Sequence, residues 1–450
     1  MRPATGRPPL YLAAAALLTL GFALQMFMWS QQWFYGDQYA LLMPAVQYLE
    51  TGELAPFSKM MSGGGRIPGT LLQRIIAAPL RSWADFRAPG LVMGLSQLLA
   101  VALLMLVVGS AYGRRFAAFF VAVYWLSPWR LYHSGFLWEP GFVLLPAALH
   151  LGCCWLLRSP ADDEPANALE VQGTVEGSVL PIAASFGLGA VLVGTLQIHA
   201  SFFLLVVATV ILAWRRLIRL RPLAWFLGAL TAGVTLLPTL TSFANGELPR
   251  ISPQIDQRLT LPVLIVSNFG KAAMYWLRLG SADIGRRLRQ TVWLGDVPAG
   301  TEVTLPLPSA LVAAVSVLSV ASVLIALYAN WRYFSRGGRH HQSPGAAWLR
   351  SYALVMLAAV AIASALSPVP VQGWHMLIAL HAACIPTAVW LSGAFDRGGY
   401  ARALGVAFVA LLVVTSILIG LGHPMYLRPD ELHVQQQNIP EYLRPLIPIR

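Results

Sequence analysis

Apolar residues along this 450-residue chain come in long continuous blocks, not in amphipathic stripes. A bilayer core about 30 Å thick takes roughly 20 apolar residues as a helix. Leu10–Trp29 is the first such block. It is too long for a cleaved leader and lacks a good cleavage site after it, so it reads as an uncleaved first span. Leu91–Ser110, Phe116–Pro128, Phe136–Leu157, Pro181–Gln197, Ser201–Trp214, Pro222–Ser242, Pro308–Trp331, Ser351–Ser367, His375–Ser392 and Arg402–Gly422 continue the series. The pattern predicts an all-α integral membrane protein with about 11 transmembrane helices.

The polar intervals divide the chain. A first module, 1–242, contains an outer loop of about residues 30–90; a second outer loop covers 243–307; further spans fill 308–422; a tail runs over 423–450. Inside the first loop, Tyr39, Leu42, Val46 and Leu49 recur with helical spacing and predict an amphipathic interfacial helix. Ala161–Gly177 is acidic and polar, and reads as a flexible solubilising loop.

Composition supports this reading. Apolar residues make up 57% and charged residues 11%, against about 25% charged in soluble domains. A soluble multidomain protein is excluded. Lys and Arg number 31 against 19 acids, yet the arginines flank the apolar blocks and form no basic domain, so they read as membrane flanks and not as a nucleic-acid surface. With the N-terminus taken as cytoplasmic, the inner segments 1–9, 111–115, 158–180, 215–221, 332–350 and 393–402 hold 15 of those 31, at about twice the density of the outer segments. The C-terminal tail then lies outside. Cys153, Cys154 and Cys384 all lie in apolar blocks with neither metal nor disulfide spacing.

Nearly all acids lie in loops and none interrupts a span, which argues against an ion-coupled transporter or a channel. The chemistry gathers at the outer helix ends. Asp37 starts the interfacial helix, either as its N-cap or as a catalytic carboxylate facing a cleft. Glu139 stands between Trp138 and Pro140, with Arg130 and His133 nearby, either as an ordinary helix start or as a second site acid. Gln197-Ile198-His199-Ala200-Ser201 and Gln372-Gly373-Trp374-His375 read as outer turns, whose histidines are either satisfied within the fold or face the site. Ser62-Gly63-Gly64-Gly65-Arg66 is either a plain loop or a backbone nest for a phosphate with Arg66 as counter-charge.

This arrangement resembles the GT-C class of membrane glycosyltransferases, above all the bacterial relatives of protein mannosyltransferases and of lipid A aminoarabinose transferases. The likeness rests on Asp37 after the first span, the helix Gln38–Glu50 with Thr51-Gly52, the stretch Arg66–Pro79, Glu139, and Gln197-Ile198-His199. Family members often carry an Asp-Glu pair where this chain has Asp37-Gln38. The resemblance implies a polyprenyl-phosphate sugar donor, a glycan, lipid or protein acceptor on the outer side of a bacterial cytoplasmic membrane, and inversion at the anomeric carbon. It implies Asp37 as general base. Arg66, Arg74 or Arg278 would stabilise the lipid phosphate, helped by His133, His199 and His375. Gln38, Tyr39, Gln197 and Trp374 would contact sugar or acceptor. Glu139 would bind acceptor or share a divalent cation with Asp37, although two carboxylates are too few for a dedicated cage, and the expectation is no resident metal. The rival readings are a polytopic transporter or lipid flippase, and a non-catalytic assembly factor.

Overall fold

A computed structural model describes residues 8–31, 37–60, 66–159, 179–247, 261–285, 309–335, 343–367 and 370–422. The acidic stretch at 161–177, the glycines at 63–65 and the tail from 423 lie outside the described residues.

Every apolar block is helical. The chain opens with α1 (Pro8–Gln31) and α2 (Asp37–Thr51). A small antiparallel hairpin of β1 (Phe57–Met60) and β2 (Arg66–Pro68) follows, with Phe57 opposite Pro68 and Met60 opposite Arg66. Next come α3 (Leu71–Ser82), α4 (Ala88–Tyr112), α5 (Arg114–Trp125), α6 (Pro128–Ser134), a 3-10 turn at Glu139–Val143 and α7 (Leu144–Leu156). Among the described residues, nine helices are long and apolar enough to cross a membrane. The other two predicted crossings correspond to Arg114–Trp125, with 12 residues, and Phe202–Trp214, with 13. At 1.5 Å per residue these are only about 20 Å long, so of the about eleven expected crossings nine reach full length among the described residues and two are short helices. The first ends where Ser127-Pro128 redirects the chain into α6; the second begins only after the Gln197–Ser201 turn.

The core forms around α5. Its sequence is apolar on all sides, and every residue from Phe116 to Trp125 is buried. It packs against α1, α4 and the helices Leu380–Arg397 and Gly399–Leu421. Leu95, Leu99 and Leu106 of α4, and Val317, Leu318 and Leu324 of the helix Ser309–Phe334, are exposed and suit acyl chains.

The second predicted outer loop is not wholly peripheral. Its helix Leu261–Leu279 packs along Pro344–Ala365, and the turn after it is buried. Ala282 N donates to Ser322 Oγ at 3.0 Å, and Thr387 Oγ1 donates to the Gly280 carbonyl at 2.8 Å.

Helices Val179–Leu196 and Pro222–Gly233 meet through glycine. A Cβ on Gly228 would fall 1.9 Å from the Phe186 carbonyl oxygen, and one on Gly189 would fall 2.0 Å from that of Trp225. Both obstacles are backbone and cannot rotate away. Gly228→Ala is therefore expected to destabilise the protein by at least roughly 1–3 kcal/mol, read as a lower thermal midpoint in detergent. Gly152→Ala, where a Cβ meets nothing within 4 Å, should leave the midpoint unchanged or slightly raised.

Candidate active site

Three segments distant in sequence bring a charged cluster together. Asp37 opens α2, where the helix dipole suits an acid. Lys59 is on β1, and Glu139 begins the 3-10 turn ahead of Pro140. Lys59 Nζ lies 2.8 Å from Asp37 Oδ2, and 3.2 and 3.5 Å from the two Glu139 oxygens. The Lys59 and Glu139 side chains are 8% and 10% exposed, whereas that of Asp37 is 51% exposed. The ammonium thus offsets the repulsion of two carboxylates and the burial of one of them, and Asp37 keeps an open side.

The hairpin is anchored on both sides. Gln73 Nε2 of α3 donates to the Ala55 carbonyl at 2.9 Å. Thr239 accepts from Gly69 N at 2.8 Å and donates to the Pro56 carbonyl. Gln38, fully buried, accepts from Leu137 N at 3.4 Å and joins the start of α2 to the turn carrying Glu139. Tyr39 beside it is half-buried.

An aromatic wall adjoins the cluster. Lys59 Nζ is 5.9 Å from the Trp138 ring. Trp138 lies 5.4 Å from Trp374 and 5.2 Å from His133, and Trp374 lies 5.6 Å from His375. His375 and His199 face each other at 5.8 Å. Hydrogen bonds set their tautomers. Ser201 N donates to His199 Nδ1 at 3.1 Å, and Gln372 N donates to His375 Nδ1 at 3.1 Å. Each neutral ring therefore carries its proton on Nε2 and presents an N–H donor there. Burial, then the neighbouring His375 and Lys59, hold His199 well below the usual histidine range, so it is neutral at pH 7.

The remaining sequence candidates lie elsewhere. Arg130, expected beside Glu139, instead donates to Gln25 and Gln97 at 2.9 and 3.0 Å. Gln197 is clamped: its Oε1 accepts from Thr235 Oγ1 at 2.7 Å, its Nε2 donates to the Ala232 carbonyl at 3.0 Å, and its side chain fills the space beside Gly69. Arg278 pairs with the buried Asp283 at 2.9 Å. Arg66 and Arg74 are exposed on β2 and α3, with Arg74 5.8 Å from the Tyr48 ring. No ion pair among the described residues joins either to Asp37 or Glu139. Lys59 escaped the sequence reading. Its one signal was rarity, for it and Lys271 are the only lysines in the chain.

Among the described residues no group of three His, Cys, Asp or Glu side chains gathers to hold a metal. The two site carboxylates share the Lys59 ammonium, which is a poor donor set for a cation.

No protein-family model and no curated protein matches the chain. Solved structures do. The crystal structure of ArnT from Cupriavidus metallidurans bound to undecaprenyl phosphate aligns with a TM-score of 0.52 at 14% identity, over 95% of this chain and 79% of that one. The same protein in the apo state aligns at 0.47 with 18% identity, over 95% and 79%. The Archaeoglobus fulgidus oligosaccharyltransferase, in complex with Zn and sulfate, aligns at 0.47 with 12% identity, over 96% of this chain and 57% of its own. With its apolar helices and this likeness, the chain is a multi-pass membrane protein of the GT-C fold.

Proposed function

We propose that the protein transfers a sugar from a polyprenyl-phosphate donor to an acceptor hydroxyl on the extracytoplasmic side of the membrane, with Asp37 as general base. The observation that carries this reading is the Asp37–Lys59–Glu139 cluster, buried on two sides and open at Asp37. The similarity in fold to a protein crystallised with undecaprenyl phosphate supports the donor class.

In the proposed step the acceptor oxygen attacks the anomeric carbon while Asp37 takes the hydroxyl proton. The bond from that carbon to the phosphate oxygen breaks, and the lipid phosphate leaves with the bonding pair. Attack opposite the leaving group inverts the anomeric centre. The departing phosphate needs positive charge and hydrogen-bond donors. Lys59 and the Nε2–H groups of His199 and His375 supply these. As Lys59 turns toward the phosphate it releases Asp37 to meet the acceptor hydroxyl. Glu139 keeps the ammonium tethered, and Trp138 and Trp374 offer flat faces to the apolar side of a sugar ring. The prenyl tail stays in the bilayer, which is why a site for this donor lies at helix ends.

The distribution of charge supports this sidedness. α7 starts beside Glu139 and ends near Arg158; Phe202–Trp214 starts beside His199 and ends at Arg215; the helix after His375 ends at Arg397. Among the described residues, the end opposite the site carries Arg114, Arg115, Arg158, Arg215, Arg216, Arg219, Arg221, Arg332, Arg350, Arg397 and Arg402, against Asp396 alone. That asymmetry supports a cytoplasmic arginine face in a bacterial inner membrane, with the start of α1 on the same side.

Asp37→Asn should leave the thermal midpoint unchanged and slow transfer about 10²–10⁴-fold. The rate is read as polyprenyl phosphate released from endogenous lipid-linked sugar in membrane vesicles. Transfer at the wild-type rate would remove Asp37 as base. The neutral His199 gives a second test. Its folded pKa lies below the unfolded value near 6.5, so the unfolded chain takes up the proton first as pH falls. The stability tied to His199 is complete above about pH 6.5 and is lost on acidification toward its folded pKa. The midpoint should therefore drop between pH 7 and 5 in the wild type, and by less in His199→Gln.

A further inference from the structure

Beneath the turn that carries Glu139 lies a fully buried arginine held by neutral acceptors. Arg130 Nε donates to the Trp125 carbonyl at 2.6 Å, and Nη1 donates to Gln25 Oε1 at 2.9 Å and Gln97 Oε1 at 3.0 Å. Its guanidinium lies 3.8 Å from the centroid of the Trp125 ring. On the α1 side the space is made by glycine: a Cβ on Gly21 would come 2.4 Å from Trp125 Nε1 and 3.2 Å from Arg130 Nη2.

Arginine has no acceptor, so both glutamines must turn their carbonyl oxygens toward it and their amide N–H groups away. The Gln97 amide then donates to Ser134 Oγ at 2.8 Å and to the Gly141 carbonyl at 2.9 Å. The Gln25 amide points at the Ser134 carbonyl, 3.3 Å away, which also accepts from Trp29 Nε1 at 2.7 Å. Gly141 belongs to the same 3-10 turn as Glu139, and the turn is pressed onto α4: a Cβ on Gly141 would meet Met93 Sδ at 2.5 Å. The relay runs from guanidinium to amide to backbone carbonyl, and ends two residues from the carboxylate that tethers Lys59.

We propose that Arg130 is a positioning residue: acting through the Gln97 amide, it fixes the turn at Gly141 so that Glu139 meets Lys59. This rests on the reading of Asp37, Lys59 and Glu139 as the reacting centre. The chemistry separates positioning from mere stapling. A carboxylate at position 97 would hold Arg130 by a stronger, charge-assisted bond, yet it has no N–H to give Gly141. Gln97→Glu therefore keeps the tie to the arginine and cuts the tie to the turn.

With Lys59 and Lys271 as the only lysines, reductive ¹³C-methylation of the detergent-purified protein yields two lysine methyl signals beside that of the terminal amine, assigned with Lys271→Arg and Lys59→Arg. Glu139→Gln marks where the Lys59 signal falls once the pairing is weakened. In Gln97→Glu the thermal midpoint should stay at or above that of the wild type, the Lys59 signal should move toward its Glu139→Gln position, and transfer should fall about 10²-fold. A Lys59 signal that stays at the wild-type position in folded Gln97→Glu overturns the proposal. Should that variant fail to fold, Gln97→Met, of similar shape and without an amide, cuts the ties to both Arg130 and the turn and should move the Lys59 signal the same way. A shifted signal with unchanged transfer supports the positioning link and sinks the catalytic reading of the cluster, so the two failures are distinguishable.

Discussion

The geometry of this protein depends on one ammonium group shared by two carboxylates. Asp37, Lys59 and Glu139 come from a helix start, a strand and a 3-10 turn. Two acids this close repel each other, and burying Glu139 alone would be unfavourable. Lys59 between them offsets that repulsion, and Asp37 is the exposed member of the cluster. The cluster ties the segment between α1 and α4 to the bundle, for the hairpin and the start of α2 converge on it. It also sets an exposed carboxylate beside a buried cation, the pair that the proposed transfer would use.

The scaffold around it is built to hold such a group still. α5 is buried on every side and serves as the post against which the other helices pack. The aromatic wall from His133 through Trp138 and Trp374 to His375 fills the flank of the cluster with rigid rings. The bonds that Ser201 and Gln372 give to the two histidines fix which ring nitrogen carries the proton, so the site offers donors without adding charge. At the far ends of the same helices, arginines dominate. A basic face and a mixed, chemically furnished face are what one expects when one end anchors the protein and the other does the work.

Much of the fold was legible because the bilayer imposes a simple rule on length and polarity. Every apolar block became a helix, and the two that fell short, Arg114–Trp125 and Phe202–Trp214, are those interrupted by Ser127-Pro128 and by the Gln197–Ser201 turn. Asp37 and Glu139 were legible as acids at helix starts, but their common partner was not. The hairpin carrying Lys59 has strands of four and three residues, too short for alternation to register, and a single lysine among apolar neighbours has no periodic signature. Proximity in sequence misled at Arg130, which lies nine positions from Glu139 yet turns into the bundle toward Gln25 and Gln97. Gln197 is part of a motif that reads as a site turn, yet its amide holds Thr235 and Ala232. Such outcomes depend on which side chains find partners across the fold, and a one-dimensional pattern does not carry that.

The central claim is that this cluster receives a lipid-linked phosphate, and lipid analysis by mass spectrometry tests it most directly. Protein purified in mild detergent would be compared between wild type and Lys59→Met, with both shown to be folded. The account predicts a polyprenyl phosphate or its glycoside with the wild type, and its depletion from the variant. Bulk phospholipid alone in both samples, or a polyprenyl lipid retained equally by both, would contradict it.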